Sequence, residues 1–122
     1  MGADPSRAGR HLALELGRRG ERVAAEFLIR RGFTVVGTGF LARRGEVDLV
    51  CRQGERLVLV EVKTRSSDAF GAPAEAVGGR KRRALQAAAA EYRALAGWRG
   101  PIEFAVVAIQ DGSEPELIED PF

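Results

Sequence analysis

The sequence predicts a mixed α/β domain, one sheet with parallel and antiparallel strands and helices packed on it. Two segments have helical period, one near the start and one over 80–96. Between and after them lie short β-branched, apolar runs separated by turn residues, an order that implies αβββαβ with a late edge strand. The 122 residues are the length of one domain that can enclose a core without disulfides.

Residues 1–9 are polar and aperiodic and are expected to form a flexible arm, leaving residues 10–122 as a single domain. From about Leu12 to Arg31 apolar residues recur at helical spacing. Leu16, Val23, Ala24, Phe27 and Leu28 share one stripe, with Gly32 placed to cap the end. Phe33 to Leu41 is rich in β-formers but interrupted by Gly37 and Gly39, which predicts a bent or bulged strand. Glu46–Arg52 and Arg56–Lys63 read as a hairpin turning on Gly54-Glu55.

Residues 64–79 read as a loop. Arg80 to about Ala96 is built from strong helix formers and is followed by Gly97 and Gly100-Pro101. Ile102–Ile109 reads as a strand and Glu116–Ile118 as a short edge strand. Phe27, Phe33 and Phe104 are expected in the core, with Tyr92 and Trp98 packed under the last turn of the second helix.

Composition mainly excludes. A lone Cys51 forms no internal disulfide and has no partner for a zinc site, and no apolar run reaches the roughly 20 residues of a membrane span. The start of the chain lacks the apolar stretch of a secretion signal, so a cytoplasmic location is expected. The formal net charge is +2, but residues 1–83 hold 17 basic and 10 acidic side chains, whereas residues 84–122 hold 2 basic and 7 acidic. Of the 19 basic residues only Lys63 and Lys81 are lysines. Eight aromatic residues in apolar settings do not make a base-stacking platform.

The chemistry lies at the end of the third strand. Leu57-Val58-Leu59-Val60 is apolar on both faces, as in a buried strand, and is followed by Glu61 and Lys63 on one face. A two-residue turn at Gly54-Glu55 sets Asp48 against Glu61, Glu46 against Lys63, Val47 against Val62 and Leu49 against Val60. Two opposed carboxylates repel unless one is protonated or a cation lies between them, and hard oxygen ligands suit Mg²⁺ or Mn²⁺. With Lys63 beside them to steady a water or meet developing charge, the group is a recipe for phosphodiester hydrolysis. Taken alone, E-x-K is also what an ordinary ion pair at a strand end looks like.

Asp48 followed by Glu61-Val62-Lys63, with Glu21 on the preceding helix, resembles the PD-(D/E)xK nuclease superfamily, whose restriction-endonuclease-like fold includes archaeal Holliday junction resolvases. The chain is more closely similar to the bacterial YraN family, also labelled UPF0102, over Gly17 to Phe122. The matching residues are Gly17-x-x-x-Glu21-x-x-Ala24, Gly45-Glu46-Val47-Asp48-Leu49, Val60-Glu61-Val62-Lys63-Thr64-Arg65, Phe70-Gly71, Lys81 and Ile118-Glu119-Asp120-Pro121-Phe122. The resemblance implies a restriction-endonuclease-like αβββαβ core, with Asp48 and Glu61 as metal ligands, Lys63 as the catalytic lysine and Glu21 as a further acidic residue near the metal. It also implies DNA or structured nucleic acid as substrate and, by analogy with the resolvases, a two-fold dimer. The chain departs from the family's usual Arg-Phe-Asp before the late strand, carrying Glu103-Phe104-Ala105.

Arg80-Lys81-Arg82-Arg83 falls in the first turn of the second helix, where cations oppose the helix dipole. Contact with phosphates explains that placement better than a solvated surface, and Arg43, Arg44 and Arg65 are expected to extend the track. The alternative function is a nucleic-acid-binding module that keeps the fold without turnover.

Overall fold

The computed structural model describes residues 20–65, 79–110 and 112–121. The expected arm at 1–9, residues 12–19 of the expected first helix and residues 66–78 of the expected 64–79 loop lie outside them.

Helix α1 is described over 20–30 and buries Ala24, Phe27 and Leu28, which recur at the three- and four-residue steps of a helix. Val23, expected on that stripe, is 38% exposed: it sits one position before the stripe and turns off the core. Gly32 closes the helix with φ 93, while Gly32 N–H donates to the Ile29 carbonyl and Phe33 N–H to the Leu28 carbonyl, a Schellman cap that a Cβ-bearing residue would strain.

Strands β1 (Thr34–Ala42), β2 (Gly45–Gln53) and β3 (Arg56–Arg65) follow as an antiparallel meander. Helix α2 (Gly79–Ala96) then leads to β4 (Ile102–Gln110), and β5 (Glu116–Glu119) closes the chain. The sheet order is β1-β2-β3-β4-β5, and only β3 and β4 are parallel. A parallel neighbour requires a crossover, which the segment containing α2 supplies.

Central β3 explains its own sequence: Leu57, Val58, Leu59 and Val60 are all buried because both faces of the sheet are covered. On one face Leu49, Cys51, Val58, Val60, Ala105 and Val107 form a core with α1 and Phe33. On the other Val50, Leu57 and Leu59 pack with Leu85 and Ala88 of α2, joined by Tyr92, Trp98 and Phe104. Tyr92 meets Phe40 edge to face at 5.3 Å, and Trp98 Nε1–H donates to the Pro101 carbonyl. At the far end of β3, Arg56 clasps Gln53, Glu103 and Glu119, so the atypical Glu103 serves as its partner. Among the described residues no helix is long and apolar enough to cross a membrane.

Both irregularities in the first two strands have a cause. The β1–β2 register slips between Val35 and Gly37, the bulge expected from the glycines. Beyond it the register runs on unchanged, Thr38 with Leu49 and Phe40 with Val47, and the second irregularity is a change of face between these pairs. Leu49 lies in the α1 core but Val47 in the α2 core, although residues two apart on a regular strand share a face. The strand therefore turns over at Asp48, opposite Gly39, whose φ of 63 is left-handed.

Candidate active site

The β2–β3 hairpin has the expected two-residue register, Gln53 with Arg56 through Leu49 with Val60. It does not continue as expected. The turn-over at Asp48 ends the ladder there, so Val47 packs under α2 while Val62 packs against the α1 core, and Glu46 is paired with Leu41 on β1. The expected oppositions of Val47 with Val62 and Glu46 with Lys63 are thus replaced by a fork between two strands.

Asp48 stands in that fork. Its Oδ2 accepts a 2.7 Å hydrogen bond from Val62 N–H, the donor that a continuing ladder would have given to a backbone carbonyl. The bond ties Asp48 to the residue after Glu61. Burial pushes the Glu61 carboxyl above its ordinary range, and the nearby negative charge of Asp48 pushes it in the same direction. Lys81 and Lys63 oppose the rise. Asp48 therefore disfavours the charge on Glu61, and a cation placed between the two carboxylates would relieve this.

Glu61 is the one buried charged residue among those described, 8% exposed. Lys63 Nζ lies 3.7 Å from its Oε2, and Lys81 Nζ, reaching down from the first turn of α2, lies 3.1 Å from its Oε1. The latter contact has ion-pair distance without hydrogen-bond angles, so Oε1 is buried with no aligned donor. On the β4 side Glu61 and Lys63 run beside Val106 and Ala108, which bring no charge. Asp48 and Glu61 are the residues that could hold a metal. A buried carboxylate oxygen without an aligned donor, with a second carboxylate nearby, fits a hard divalent cation, and Mg²⁺ commonly takes one or two carboxylates, completing its shell with water and substrate phosphate. Among the described residues there is no cluster of three or more metal-ligating side chains.

Glu21 is half-buried in the first described turn of α1. That turn abuts the end of β3, since a Cβ on neighbouring Gly20 would collide with Thr64 Cγ2 and touch Val62. Helix α1 covers the Val62 face of the sheet, whereas Glu61 and Lys63 point to the α2 face.

Arg80, Arg82 and Arg83 are exposed at the start of α2, and Arg43 and Arg44 are exposed on the β1–β2 turn. The turn is docked on the same helix, where Arg43 N–H donates to Glu91 Oε2 at 3.0 Å. Arg65 ends β3, and its side chain lies outside the described residues. Lys81 is drawn from this basic row onto Glu61. Its role at the carboxylate was not read from the motif, although one signal was available: the chain's two lysines among seventeen arginines are the two cations that meet Glu61.

The model of the uncharacterised protein family UPF0102 matches residues 20–109, a span that contains all of these groups. A UPF0102 protein of Anaeromyxobacter dehalogenans is 47% identical over 105 residues, covering 85% of this chain and 78% of that protein. A second, of Renibacterium salmoninarum, is 44% identical over 107 residues, 85% of this chain and 91% of its own length. One from Thermodesulfovibrio yellowstonii is 35% identical over 109 residues, 89% of this chain and 96% of its own.

Proposed function

We propose that this chain, which belongs to the uncharacterised protein family UPF0102, is a metal-dependent nuclease that hydrolyses phosphodiester bonds in DNA or structured nucleic acid. The observation that carries the reading is the fork: Asp48, bound to Val62 N–H, raises the energy of the buried Glu61 carboxylate, with Lys63 3.7 Å from it. A simple ion pair needs one carboxylate and one cation, whereas here a second carboxylate lies close enough to oppose the charge on the first.

Asp48 and Glu61 would hold Mg²⁺ or Mn²⁺, which supplies Lewis acidity toward the phosphate and a lowered pKa for a bound water. The Val62 N–H fixes the Asp48 carboxylate by its Oδ2. Lys63, on the same face as Glu61, orients the attacking water or meets the charge that develops on the phosphate. The resemblance of its helix motif would add Glu21 as a further acidic residue approaching the metal from the α1 side of the sheet, outside the group formed by Asp48, Glu61, Lys63 and Lys81. The exposed arginines at 43, 44, 80, 82 and 83 lie along α2, and eight residues of helix separate Arg83 from Glu91, roughly 12 Å. Such a row would position a nucleic-acid backbone without reading its sequence. A symmetric pair of these domains would suit a branched substrate.

The test is incubation with Mg²⁺ or Mn²⁺ and single-stranded, duplex, flapped and four-way DNA and RNA, beside Asp48→Ala and Lys63→Ala. Metal-dependent cleavage lost in both variants is the expected result, and no such cleavage on any substrate overturns the nuclease reading. The engagement of Glu61 by two lysines favours one second reading, a non-catalytic nucleic-acid-binding module. Binding that weakens steeply with salt, without cleavage, would identify it.

A further inference from the structure

We propose that Lys81 is a place-holding cation, an ammonium that neutralises Glu61 until a divalent ion takes its position and Lys81 withdraws to solvent. The inference rests on the metal-site reading above and adds a residue that the reaction scheme does not use.

Four observations carry it. Lys81 Nζ lies 3.1 Å from Glu61 Oε1, closer than Lys63 lies to the other oxygen, so it occupies the more tightly held position on the carboxylate. Oε1 is otherwise buried without a donor, so Lys81 is the group that offsets its charge on this side. The Lys81 side chain keeps 31% of its surface in water while that of Glu61 keeps 11%, so the lysine has an open route out and the carboxylate does not. Finally, the chain has arginine at seventeen of its nineteen basic positions and lysine here. A guanidinium would form a forked, aligned and durable pair, whereas an ammonium on a flexible stem hydrates strongly and leaves readily.

Charge balance points the same way. Asp48 and Glu61 are matched by Lys63 and Lys81, so the group is neutral as it stands. A divalent ion added beside both lysines would leave it two charges positive in a low-dielectric pocket, where like charges a few Å apart interact strongly. Release of Lys81 leaves one positive charge, the complement of a phosphodiester.

The experiment is calorimetric titration of the full chain with MnCl₂ at about pH 8, comparing wild type, Lys81→Met and Lys81→Arg. Removing a competing cation tightens binding, and Lys81→Met is expected to bind Mn²⁺ about tenfold more tightly than wild type, the equivalent of only a part of one ion-pair interaction in such a site. Lys81→Arg is expected to bind no more tightly than wild type. Equal or weaker binding by Lys81→Met, with wild type binding well, overturns the inference and leaves the metal site intact. No binding by any of the three overturns both. A second measurement needs no variant: because the chain has two lysines, acylation followed by mass spectrometry resolves each one. Faster acylation of Lys81 in wild type on adding Mn²⁺ is expected, and an unchanged or slower rate overturns the proposal even if Lys81→Met fails to fold.

Discussion

The Asp48 carboxylate caps an interrupted β-ladder by accepting Val62 N–H at 2.7 Å, and the same bond holds it against Glu61. Structure and proposed chemistry thus share one hydrogen bond, and they can be separated by mutation.

Asp48→Asn keeps an acceptor for Val62 N–H but removes the charge that opposes ionisation of Glu61. Its stability in urea is expected to stay within about 1 kcal/mol of wild type, because a neutral acceptor replaces a charged one. Asp48→Ala leaves the half-buried donor unpaired and is expected to cost about 1–3 kcal/mol. Cleavage, if the nuclease reading holds, falls at least about a hundredfold in both, since each removes a metal ligand. Equal stability of the two variants would show that the bond contributes nothing to the fold.

Glu61 gives a signed pH dependence. Burial, then Asp48, raises its folded pKa above the ordinary 4.5, so the unfolded chain gives up this proton at lower pH than the folded one. Stability tied to the group is complete below the unfolded value and is lost as pH rises through the folded one. Glu61→Gln does not ionise and escapes that loss. Urea unfolding at about pH 4 and about pH 8 should therefore show the difference between variant and wild type shifting in favour of the variant at the higher pH. A shift in the opposite direction would mean that the two lysines outweigh burial.

Gly20 allows α1 to touch the end of β3, because a Cβ there would overlap Thr64 Cγ2. Gly20→Ala gains helix propensity but must push the threonine methyl aside, and a net loss of about 1 kcal/mol is expected in chemical denaturation. In a Thr64→Ala background the clash disappears and the same change should stabilise by up to about 1 kcal/mol. Additive effects of the two substitutions would refute the contact.

Cys51 is fully buried in the middle of β2, and burial pushes its thiol up to about 11. Both properties suppress the thiolate that reacts with disulfide reagents. Labelling by an aromatic disulfide at about pH 8 should wait for global opening, with a protection factor equal to that from urea unfolding. Rapid labelling of the native chain would show that the strand opens locally.

The order of elements was legible in the sequence because local rules govern it. The unbroken apolar run Leu57–Val60 belongs to a strand covered on both faces, Gly32 caps a helix, and Gly54-Glu55 closes a hairpin in the register that its length dictates. That Asp48 comes near Glu61 could be read for the same reason, since in a tight hairpin register follows from counting up to Leu49 and Val60, although the ladder stops one pair short of Asp48 and Glu61. Val23 shows the limit: hydrophobicity placed it on the buried stripe, but the rotation of α1 against the sheet turned it outward.

What only the tertiary structure decided is the end of that counting and the partner that arrives from elsewhere. Counting assumes a regular pleat, and the turn-over at Gly39 and Asp48 ends it, sending Val47 to one face and leaving Val62 N–H to a carboxylate. Lys81 lies twenty residues beyond Glu61, and its spacing in sequence carries no information about contact between them. The α2 crossover and the parallel pairing of β4 with β3 set the start of α2 above the end of β3, bringing the ammonium to the carboxylate. Local sequence determined which groups exist and on which strands, because hydrogen-bond geometry and periodicity act over a few residues. Packing of distant elements decided which charges meet, because burial of Glu61 requires every nearby element to be in place.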